Sequence, residues 1–500
     1  MEKVDNMIEE LYEKVIKKED LRGTLIALKE EIGNDHQRRE LIRIVNGDPS
    51  VFLSLLKDED PKVRKNAVRI LGELEDESVA AEIMQAYRLE ETRFIKSDYI
   101  QALRKLDYSS FMDELESRFS ILTDISIEEA QKKHAREEAK EIKRLLVEKK
   151  GIEMHTFTGL KKETEIILTT NRQHRELTEV QLRAYKRALI PAGVKLIVSD
   201  LKPIFEVRTF DELLFPLNCE HQLPKDPDLI ATEIKRSNLL NFLQKTHKEL
   251  RPFYFRLDVR SKMTLEERSH FTKKLAIALE QISGGELLNA TTGYEMELRL
   301  IENREGRFYP CLKLYTIADH RFSYRKKNVA TSIKPFQAAT LMQLCRPYFI
   351  EDAQILDPFC GVGTMMVERE KLLPVKSAYG IDLFSEAIDG ARENTDRVQR
   401  NFYFINRNFF DFKHEYLFDE IVTNMPVRGR MTKDDLDQIY HRFFEKAETM
   451  LHPGGMIFLY SQEPGFVKKQ LRLHVNYNLC QEYCMDEKIG SYLFIIATKE

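Results

Sequence analysis

Two glycines and an aspartate lie in a short turn between an apolar run and a helical pattern late in the chain. Ala353–Leu356 predicts a strand, the string DPFCGVGT at residues 357–364 predicts the turn, and a helix is expected from about Met365. Glycine tolerates positive φ and lets a ligand approach the backbone closely. The free N–H groups at a helix start attract negative or polar groups. The segment therefore predicts a cradle for a small polar ligand.

Three more polar clusters follow predicted strands in the same region. Asp382 follows the predicted strand Ala378–Ile381, and Asn408 follows Phe402–Asn406. The string NMPV at residues 424–427 follows Phe418–Thr423. In doubly wound sheets ligands bind outside the carboxyl ends of the strands, and an acid at the end of the second strand binds ribose hydroxyls. We therefore predict a Rossmann-like α/β domain over residues 321–500 with one site at this edge.

Dinucleotide binding is the competing interpretation of a glycine turn followed by a ribose-binding acid. Three features argue against it. The turn lacks the third glycine of the dinucleotide fingerprint. The fourth strand ends in an Asn-x-Pro turn, and the closing segments Asn478–Glu482 and Tyr492–Thr498 can pair as an antiparallel hairpin. These features argue against a dinucleotide site.

The strings DPFCGVGT and IVTNMP, the latter at residues 421–426, together resemble the THUMP-containing RNA methyltransferases. Members of this class I family use S-adenosylmethionine to form N2-methylguanosine in transfer RNA, and relatives act on ribosomal RNA. Thr331–Ala339 is similar to the family's helix before the first motif. The resemblance covers residues 321–500 well, the middle of the chain loosely and the N-terminal helices not at all.

The resemblance implies S-adenosylmethionine as the cofactor and a role for each matching residue. Asp357 would hold the cofactor's amino group through the following turn, Asp382 would bind its ribose, and Asn408 would accept from its adenine amino group. Asn424 and the carbonyl before Pro426 would orient the exocyclic amine of the target base, which makes Asn424 and Pro426 the implied catalytic residues. The implied cofactor-binding set is Asp357, Phe359, Cys360, Gly361, Gly363, Thr364, Asp382, Leu383, Asn408, Phe409 and Asn424.

The fourth motif departs from the family pattern of Asn or Asp, Pro, Pro and an aromatic ring. Met425 and Val427 stand at its second and fourth positions. Valine removes a ring that would stack on the target base, a contact worth roughly 1–3 kcal/mol. Two classes of function stay open: an RNA guanine-N2 methyltransferase, or a catalytically weak or inactive scaffold or sensor that binds RNA or protein. A protein-amide methyltransferase is a third, more distant alternative.

Basic residues cluster just before the cradle. Six of them and no acid lie between Arg321 and Ile350, and two more follow the Asn-x-Pro turn. Phosphate neutralisation supplies most sequence-independent affinity for nucleic acids, whereas a solvated basic loop is the simpler explanation of such a run. The predicted RNA-binding residues are Arg325, Lys326, Lys327, Lys334, Arg428 and Arg430.

Composition limits what the remainder of the 500-residue chain can be. Its length predicts several domains, and its apolar content of 42% is normal for buried cores. A net charge of −4 excludes a uniformly basic nucleic-acid binder. The charged N-terminal residues and the lack of a long apolar run predict a cytoplasmic protein with no membrane span. The six scattered cysteines predict reduced thiols and no metal site.

Residues 1–150 have a helical pattern throughout and predict an all-α domain. Val63 and Ile95, like Leu74 and Leu106, are 32 positions apart, which indicates stacked helix pairs. The string from Leu55 resembles a HEAT repeat, so we expect a surface for a protein partner. Ile127–Lys150 predicts one long charged helix, interpreted as a solvated connector.

Residues 151–320 alternate short strands with helices and predict an α+β region. Predicted helices lie near Thr178–Ala188, Leu229–Lys245 and Leu265–Ile282. The order of elements in Phe253–Tyr315 resembles a THUMP domain, and the preceding stretch resembles its ferredoxin-like companion. The resemblance implies RNA binding by this region; a spacer domain is the alternative.

Overall fold

The computed structural model describes residues 2–123, 132–150, 154–219, 222–249, 251–330, 332–396, 398, 401–429 and 431–499. The chain divides into two compact units, Met1–Glu153 and Met154–Glu500. In the described part of the chain, no helix combines the length and the apolar character that crossing a membrane requires.

The first unit is helical over the residues described. Its helices are α1 Glu2–Ile16, α2 Leu21–Glu31, α3 Asp35–Val45, α4 Ser50–Leu55, α5 Pro61–Glu73, α6 Ala80–Leu89, α7 Arg93–Leu103, α8 Met112–Thr123 and α9 Lys132–Lys150. The inner faces that repeat in the sequence, Val63–Leu74 and Ile95–Leu106, are buried in one apolar core. Asp60 caps α5 by accepting from the Lys62 N–H, and Pro61 starts that helix, as the Asp-Pro pair predicts.

Helix α9 is not a solvated connector, and that interpretation was wrong. Its face of Ala135, Ala139, Ile142 and Leu145 is buried with the apolar core of the unit. The buried Glu138 carboxylate accepts from the Tyr87 hydroxyl at 2.6 Å and from Arg118 Nε at 2.8 Å. Charge on the outer face hid this apolar stripe. Residues 127–131 of the predicted helix lie outside the described residues.

The second unit begins with a sheet of eight strands among the described residues. They are β1 Thr164–Thr170, β2 Arg187–Ile190, β3 Gly193–Val198, β4 Phe210–Pro216, β5 Phe253–Arg260, β6 Leu287–Asn289, β7 Met296–Glu302 and β8 Phe308–Leu314, in the order β2-β3-β1-β4-β8-β7-β5-β6. The helices here are α10 Glu176–Glu179, α11 Pro227–Arg236, α12 Leu239–Thr246 and α13 Leu265–Ile282. Helix α13 has its predicted bounds, and a capping box of Thr264 and Glu267 fixes its start.

Two of the helices predicted in this region were wrong. In place of a helix over Thr178–Ala188 there are the single turn α10, a short 3-10 helix and strand β2, because pairing with β3 overrides the local helical pattern. The predicted helix over Leu229–Lys245 is broken into α11 and α12 at Asn238, whose φ of 66° is left-handed.

The glycine turn predicted at residues 357–364 follows a strand of a second sheet. Its described strands are β9 Gln354–Asp357, β10 Ser377–Asp382, β11 Phe402–Asn406, β12 Phe418–Asn424, β13 Leu451–Ser461, β14 Tyr477–Asp486 and β15 Ser491–Thr498, in the order β11-β10-β9-β12-β13-β15-β14. Strands β9 to β13 are parallel, and β14 and β15 form the predicted antiparallel hairpin. The helices are α14 Pro335–Cys345, α15 Thr364–Leu372, α16 Ser385–Thr395, α17 Lys433–Glu448 and α18 Pro464–Leu473.

Candidate active site

The glycine turn connects β9 to α15 and is fastened to the neighbouring strand. The Cys360 N–H donates to the Ile381 carbonyl at 2.9 Å, and the Gly363 N–H donates to the Cys360 carbonyl at 2.9 Å. Gly361 and Gly363 have φ of 52° and 80°, a region that favours glycine. The turn therefore has the backbone conformation that its glycines predict, with Cys360 packed beneath it.

Asp357 ends β9 and is the buried acid of the site, with 1% of its surface exposed. One carboxyl oxygen, Oδ1, accepts from the Phe359 N–H at 3.1 Å and from the Thr423 hydroxyl at 3.0 Å. Burial raises the pKa of Asp357 to about 8, an effect that these two hydrogen bonds oppose and that the charge of Asp382 reinforces. Burial therefore favours the neutral form of Asp357, and a nearby cation would favour its ionised form.

Asp382 ends β10 and closes the turn. Its Oδ2 accepts from the Gly361 N–H at 2.9 Å, and its Oδ1 accepts from the Phe384 N–H at 3.0 Å. The side chain of Leu383 beside it is 64% exposed. Asp382 thus both holds the glycine turn in place and presents a carboxylate at the carboxyl edge of the sheet.

The surroundings of the turn fit a small ligand with polar groups. The Thr364 hydroxyl oxygen is buried and has no hydrogen-bond partner among the described residues. A Cβ added to Gly361 would meet nothing within 4 Å, and one on Gly363 would be in ordinary van der Waals contact with the Phe404 ring at 3.4 Å. A bound ligand could supply the partner that the buried Thr364 hydroxyl lacks. These residues are compatible with the cofactor that the sequence predicts.

Asn408 and Phe409 follow β11 at the same edge. The Asn408 side-chain oxygen accepts from the Phe410 N–H at 3.0 Å and keeps a second lone pair. The Phe409 side chain is 2% exposed and packs against the rings of Phe359 and Phe443. Only the backbone of Phe409 can therefore contact a ligand, so the predicted role of this residue in cofactor binding is limited to its backbone.

The Asn-Met-Pro-Val loop begins at the end of β12, between β9 and β13. Asn424 is half-buried, and its side chain makes no hydrogen bond within the described part of the chain. Met425 is buried in the apolar core, and its N–H donates to the Tyr460 carbonyl at 2.9 Å, a bond that proline could not make. Pro426 is half-buried, and Val427 is 37% exposed. The Met425 side chain thus packs in the core, while the Val427 side chain is exposed to solvent.

The predicted basic residues differ in their surroundings. Lys326, Lys327 and Arg428 are exposed, and Lys334 Nζ lies 3.5 Å from the Asp211 carboxylate. Arg325 is half-buried. Arg430 lies outside the described residues. Lys327 Nζ lies 3.9 Å from the Glu393 carboxylate, and Lys326 and Arg428 are exposed to a polyanion.

Arg321 does not belong to the basic surface that the sequence suggested. Its guanidinium is buried, pairs with Asp319 at 2.7 Å and donates to the Phe210 carbonyl at 2.7 Å. It packs over the Phe210 ring with its Cζ 3.4 Å from the ring centroid. An arginine in this position joins β4 to the segment after β8 and cannot bind phosphate.

Two residues near the turn had no signal in the sequence. Thr423 connects the Asn-x-Pro loop to Asp357 through its hydroxyl, and a buried β-branched residue in a strand is ordinarily a packing residue. Asn394 on α16 donates to the Val362 carbonyl of the turn at 3.1 Å. Both contacts join residues distant in sequence, which periodicity does not reveal.

Comparison with known proteins agrees with this geometry. Residues 323–482 match the UPF0020 family, described as the RMKL-like methyltransferase domain, and residues 49–120 match HEAT repeats. The chain is 27% identical over 135 residues to tRNA (guanine(10)-N2)-dimethyltransferase of Methanothermobacter thermautotrophicus, covering 26% of this chain and 39% of the relative. It is 30% identical over 156 residues to tRNA (guanine(6)-N2)-methyltransferase of Thermus thermophilus, covering 30% and 45%. The matches span less than half of each relative.

A solved structure shares the fold over a larger part of the chain. A possible methylase from Clostridium difficile 630 superposes with a TM-score of 0.50 and 17% identity, covering 68% of this chain and 99% of that one. Because the identity is low, this likeness concerns the fold alone. Residues 323–482 are therefore similar to the UPF0020 methyltransferase domain, and residues 49–120 are similar to HEAT repeats.

Proposed function

We propose that this protein is an S-adenosylmethionine-dependent RNA methyltransferase that forms N2-methylguanosine in transfer RNA. The observation that carries the proposal is the unpartnered Asn424 side chain beside the glycine turn. Strands β9 and β12 are neighbours, and the Thr423 hydroxyl bonds to Asp357 at 3.0 Å. The names of the two relatives, both transfer RNA guanine-N2 enzymes, support the choice of base and RNA.

The cofactor would lie on the turn from Asp357 to Thr364. Its amino group would pair with Asp357, and its ribose would bind Asp382. The Thr364 hydroxyl would gain the partner that it lacks in the protein alone. S-adenosylmethionine supplies a methyl group on a sulfonium sulfur. The backbone next to Phe409 and the second lone pair of Asn408 would contact the adenine.

The residues of the Asn-x-Pro loop would position the nucleophile. The Asn424 oxygen and the Met425 carbonyl would each accept one N–H of the guanine exocyclic amine, which leaves its lone pair facing the methyl carbon. Methyl transfer would form the N–C bond as the C–S bond breaks, with the electron pair of that bond going to sulfur and one proton passing from the amine to solvent. Because no side chain needs to form a covalent bond, positioning and exclusion of water would supply most of the acceleration.

The two residues that depart from the family motif, Met425 and Val427, would affect binding of the target base differently. The Met425 side chain is buried and its N–H donates to β13, so the methionine side chain stays outside the site and only its carbonyl would contact the base. Val427 borders the site and offers no ring for stacking, so the base would be held with less surface. The scaffold alternative therefore rests on Val427 alone.

RNA contact outside the site would come from Lys326, Lys327 and the region before them. We propose that residues 151–320 form a ferredoxin-like and THUMP-like RNA-binding region, that residues 321–500 form the catalytic domain, and that residues 1–150 bind a protein partner. The exposure of Lys326 and Lys327 supports the RNA role, and Asn394 joins their backbone to the glycine turn.

Single-turnover methyl transfer tests the proposal. The full-length protein is mixed with labelled S-adenosylmethionine and with transfer RNA or ribosomal RNA from a strain that lacks the gene. Label should enter the transfer RNA pool and be found in N2-methylguanosine. Normal cofactor binding with no transfer to either pool would instead support the scaffold.

A further inference from the structure

Asn394 connects the basic segment to the glycine turn through a single amide group. It lies near the end of α16 and is 1% exposed. Its side-chain oxygen accepts from the Lys326 N–H at 2.8 Å and from the Lys327 N–H at 2.9 Å. Its side-chain nitrogen donates to the Lys327 carbonyl at 3.0 Å and to the Val362 carbonyl at 3.1 Å.

The four bonds use the full capacity of the amide, and no other side chain of this length could make them. The oxygen has two lone pairs and the nitrogen two hydrogens, and each has a backbone partner. Aspartate would set a carboxylate against two carbonyls. Leucine of similar volume would remove all four bonds and leave the Lys326 N–H only its bond to the Tyr324 carbonyl at 3.1 Å. The partners also fix which end of the amide is oxygen.

Packing on the same helix supports the connection independently. Gly390 lies one turn before Asn394 and faces the same two segments. A Cβ built there would be 3.1 Å from Val362 Cγ1 and 3.3 Å from Lys327 Cβ. The helix therefore contacts both the turn and the lysine segment with little space to spare, so a movement of one is transmitted to the other.

We infer that Asn394 is a positioning residue that couples RNA binding to cofactor binding. The inference rests on the proposed function. Val362 lies between the two glycines that would contact the cofactor, and Lys326 and Lys327 would contact the RNA backbone. A cofactor that orders the turn also orders the lysine segment through the amide, so each ligand strengthens the binding of the other by the same factor.

The coupling factor can be measured without any methyl transfer. Filter binding of bulk transfer RNA from a strain lacking the gene is titrated with and without saturating S-adenosylhomocysteine, the demethylated product. In the native protein we expect the product to tighten RNA binding by about fivefold or more. In Asn394→Leu the factor should fall to about one while each ligand still binds alone. The matched control is Asn401→Leu, which removes an exposed amide that bonds to the Lys376 carbonyl.

Gly390→Ala is the second variant, needed in case Asn394→Leu fails to fold. Alanine favours the helix but displaces Val362 or Lys327, so it too should lower the coupling factor. A native factor of one, or an unchanged factor in both variants, would overturn the inference. Coupling in a native protein that transfers no methyl group would support the inference and overturn the proposed function. Methyl transfer with unchanged coupling in the variants would do the reverse.

Discussion

The glycine turn and the Asn-Met-Pro-Val loop lie at the same edge of one sheet but differ in how much of their bonding is internal. In the turn, the Gly361 N–H donates a hydrogen bond to the Asp382 carboxylate, and the Cys360 N–H donates one to β10. In the loop, the side chain of Asn424 has no partner in the described part of the chain, and Val427 is exposed. The backbone of the turn is held by hydrogen bonds within the protein, whereas the Asn424 side chain of the loop has no such partner among the described residues.

The difference separates binding from catalysis. A turn whose backbone conformation is supported by internal hydrogen bonds would contribute to cofactor binding whether or not the target base is present, so changes there should alter cofactor affinity. The Asn424 side chain of the loop would form its hydrogen bond only when the target base is present. Changes there should therefore alter the rate of methyl transfer. The predictions below test whether the two halves can be separated in this way.

The largest effect is expected from Asn424→Ala. Loss of the acceptor that orients the target amine should lower the single-turnover methylation rate by about 10²-fold or more, because the contact matters mainly in the reacting geometry. Affinity for S-adenosylmethionine, measured by calorimetry, should change little. Asn401→Ala is the control for losing an amide elsewhere in the domain. Equal losses of rate and cofactor affinity would show that the two halves of the site are not separate.

Asp382→Ala should act on the other half. It removes the ribose contacts and releases the Gly361 N–H, and cofactor binding should weaken by about 1–3 kcal/mol. Asp389→Ala on α16 is the matched control, since Asp389 is exposed and pairs with Arg392. Calorimetry that finds the Asp382→Ala affinity unchanged would contradict the assignment of this acid.

The raised pKa of Asp357 predicts a pH dependence. The pKa of this carboxyl is about 8 in the folded protein and 3.8 when unperturbed, so its neutral form favours the folded state. Its contribution to the free energy of unfolding is complete below about pH 4 and is lost as the pH rises through 8. Asp357→Asn should remove this part of the dependence in denaturation experiments at several pH values.

The pH dependence of cofactor affinity should be opposite to that of stability, because binding requires the ionised form of Asp357. A cationic amino group requires the ionised carboxylate, so binding at pH 7 should release up to one proton from Asp357. Affinity should rise with pH toward 8, at most about tenfold per unit. Calorimetry in buffers of different ionisation enthalpy measures the proton release. Release that persists in Asp357→Asn would assign the proton to another group.

A smaller effect is expected from the basic segment. Charge reversal of Lys326 and Lys327 to Glu should weaken transfer RNA binding about tenfold and reduce its salt slope by about two, since each phosphate contact contributes about one. Cofactor affinity should remain. Reversal of Lys468 and Lys469, a neighbouring pair on α18, is the control. A filter-binding titration with an unchanged salt slope would remove these lysines from the RNA surface.

Local pattern predicted some parts of this molecule and not others. The turn at Asp357–Thr364 and the strands around it follow from apolar runs and glycines that act over a few residues. The burial of α9 and the strand at Arg187–Ile190 depend on what packs against them, so charge and helical periodicity gave the wrong answer. The bridge made by Asn394 joins three segments and has no sequence signature at all. Arg321 was misjudged for the same reason, because its partners lie on β4.

The proposed product of this protein is N2-methylguanosine in transfer RNA. Mass spectrometry of nucleosides from purified transfer RNA and ribosomal RNA, in cells with the gene, without it and with Asn424→Ala, tests this directly. The account predicts N2-methylguanosine in transfer RNA that falls in the deletion strain, returns with the native gene and does not return with the variant. Identical nucleoside profiles in all three strains would contradict it.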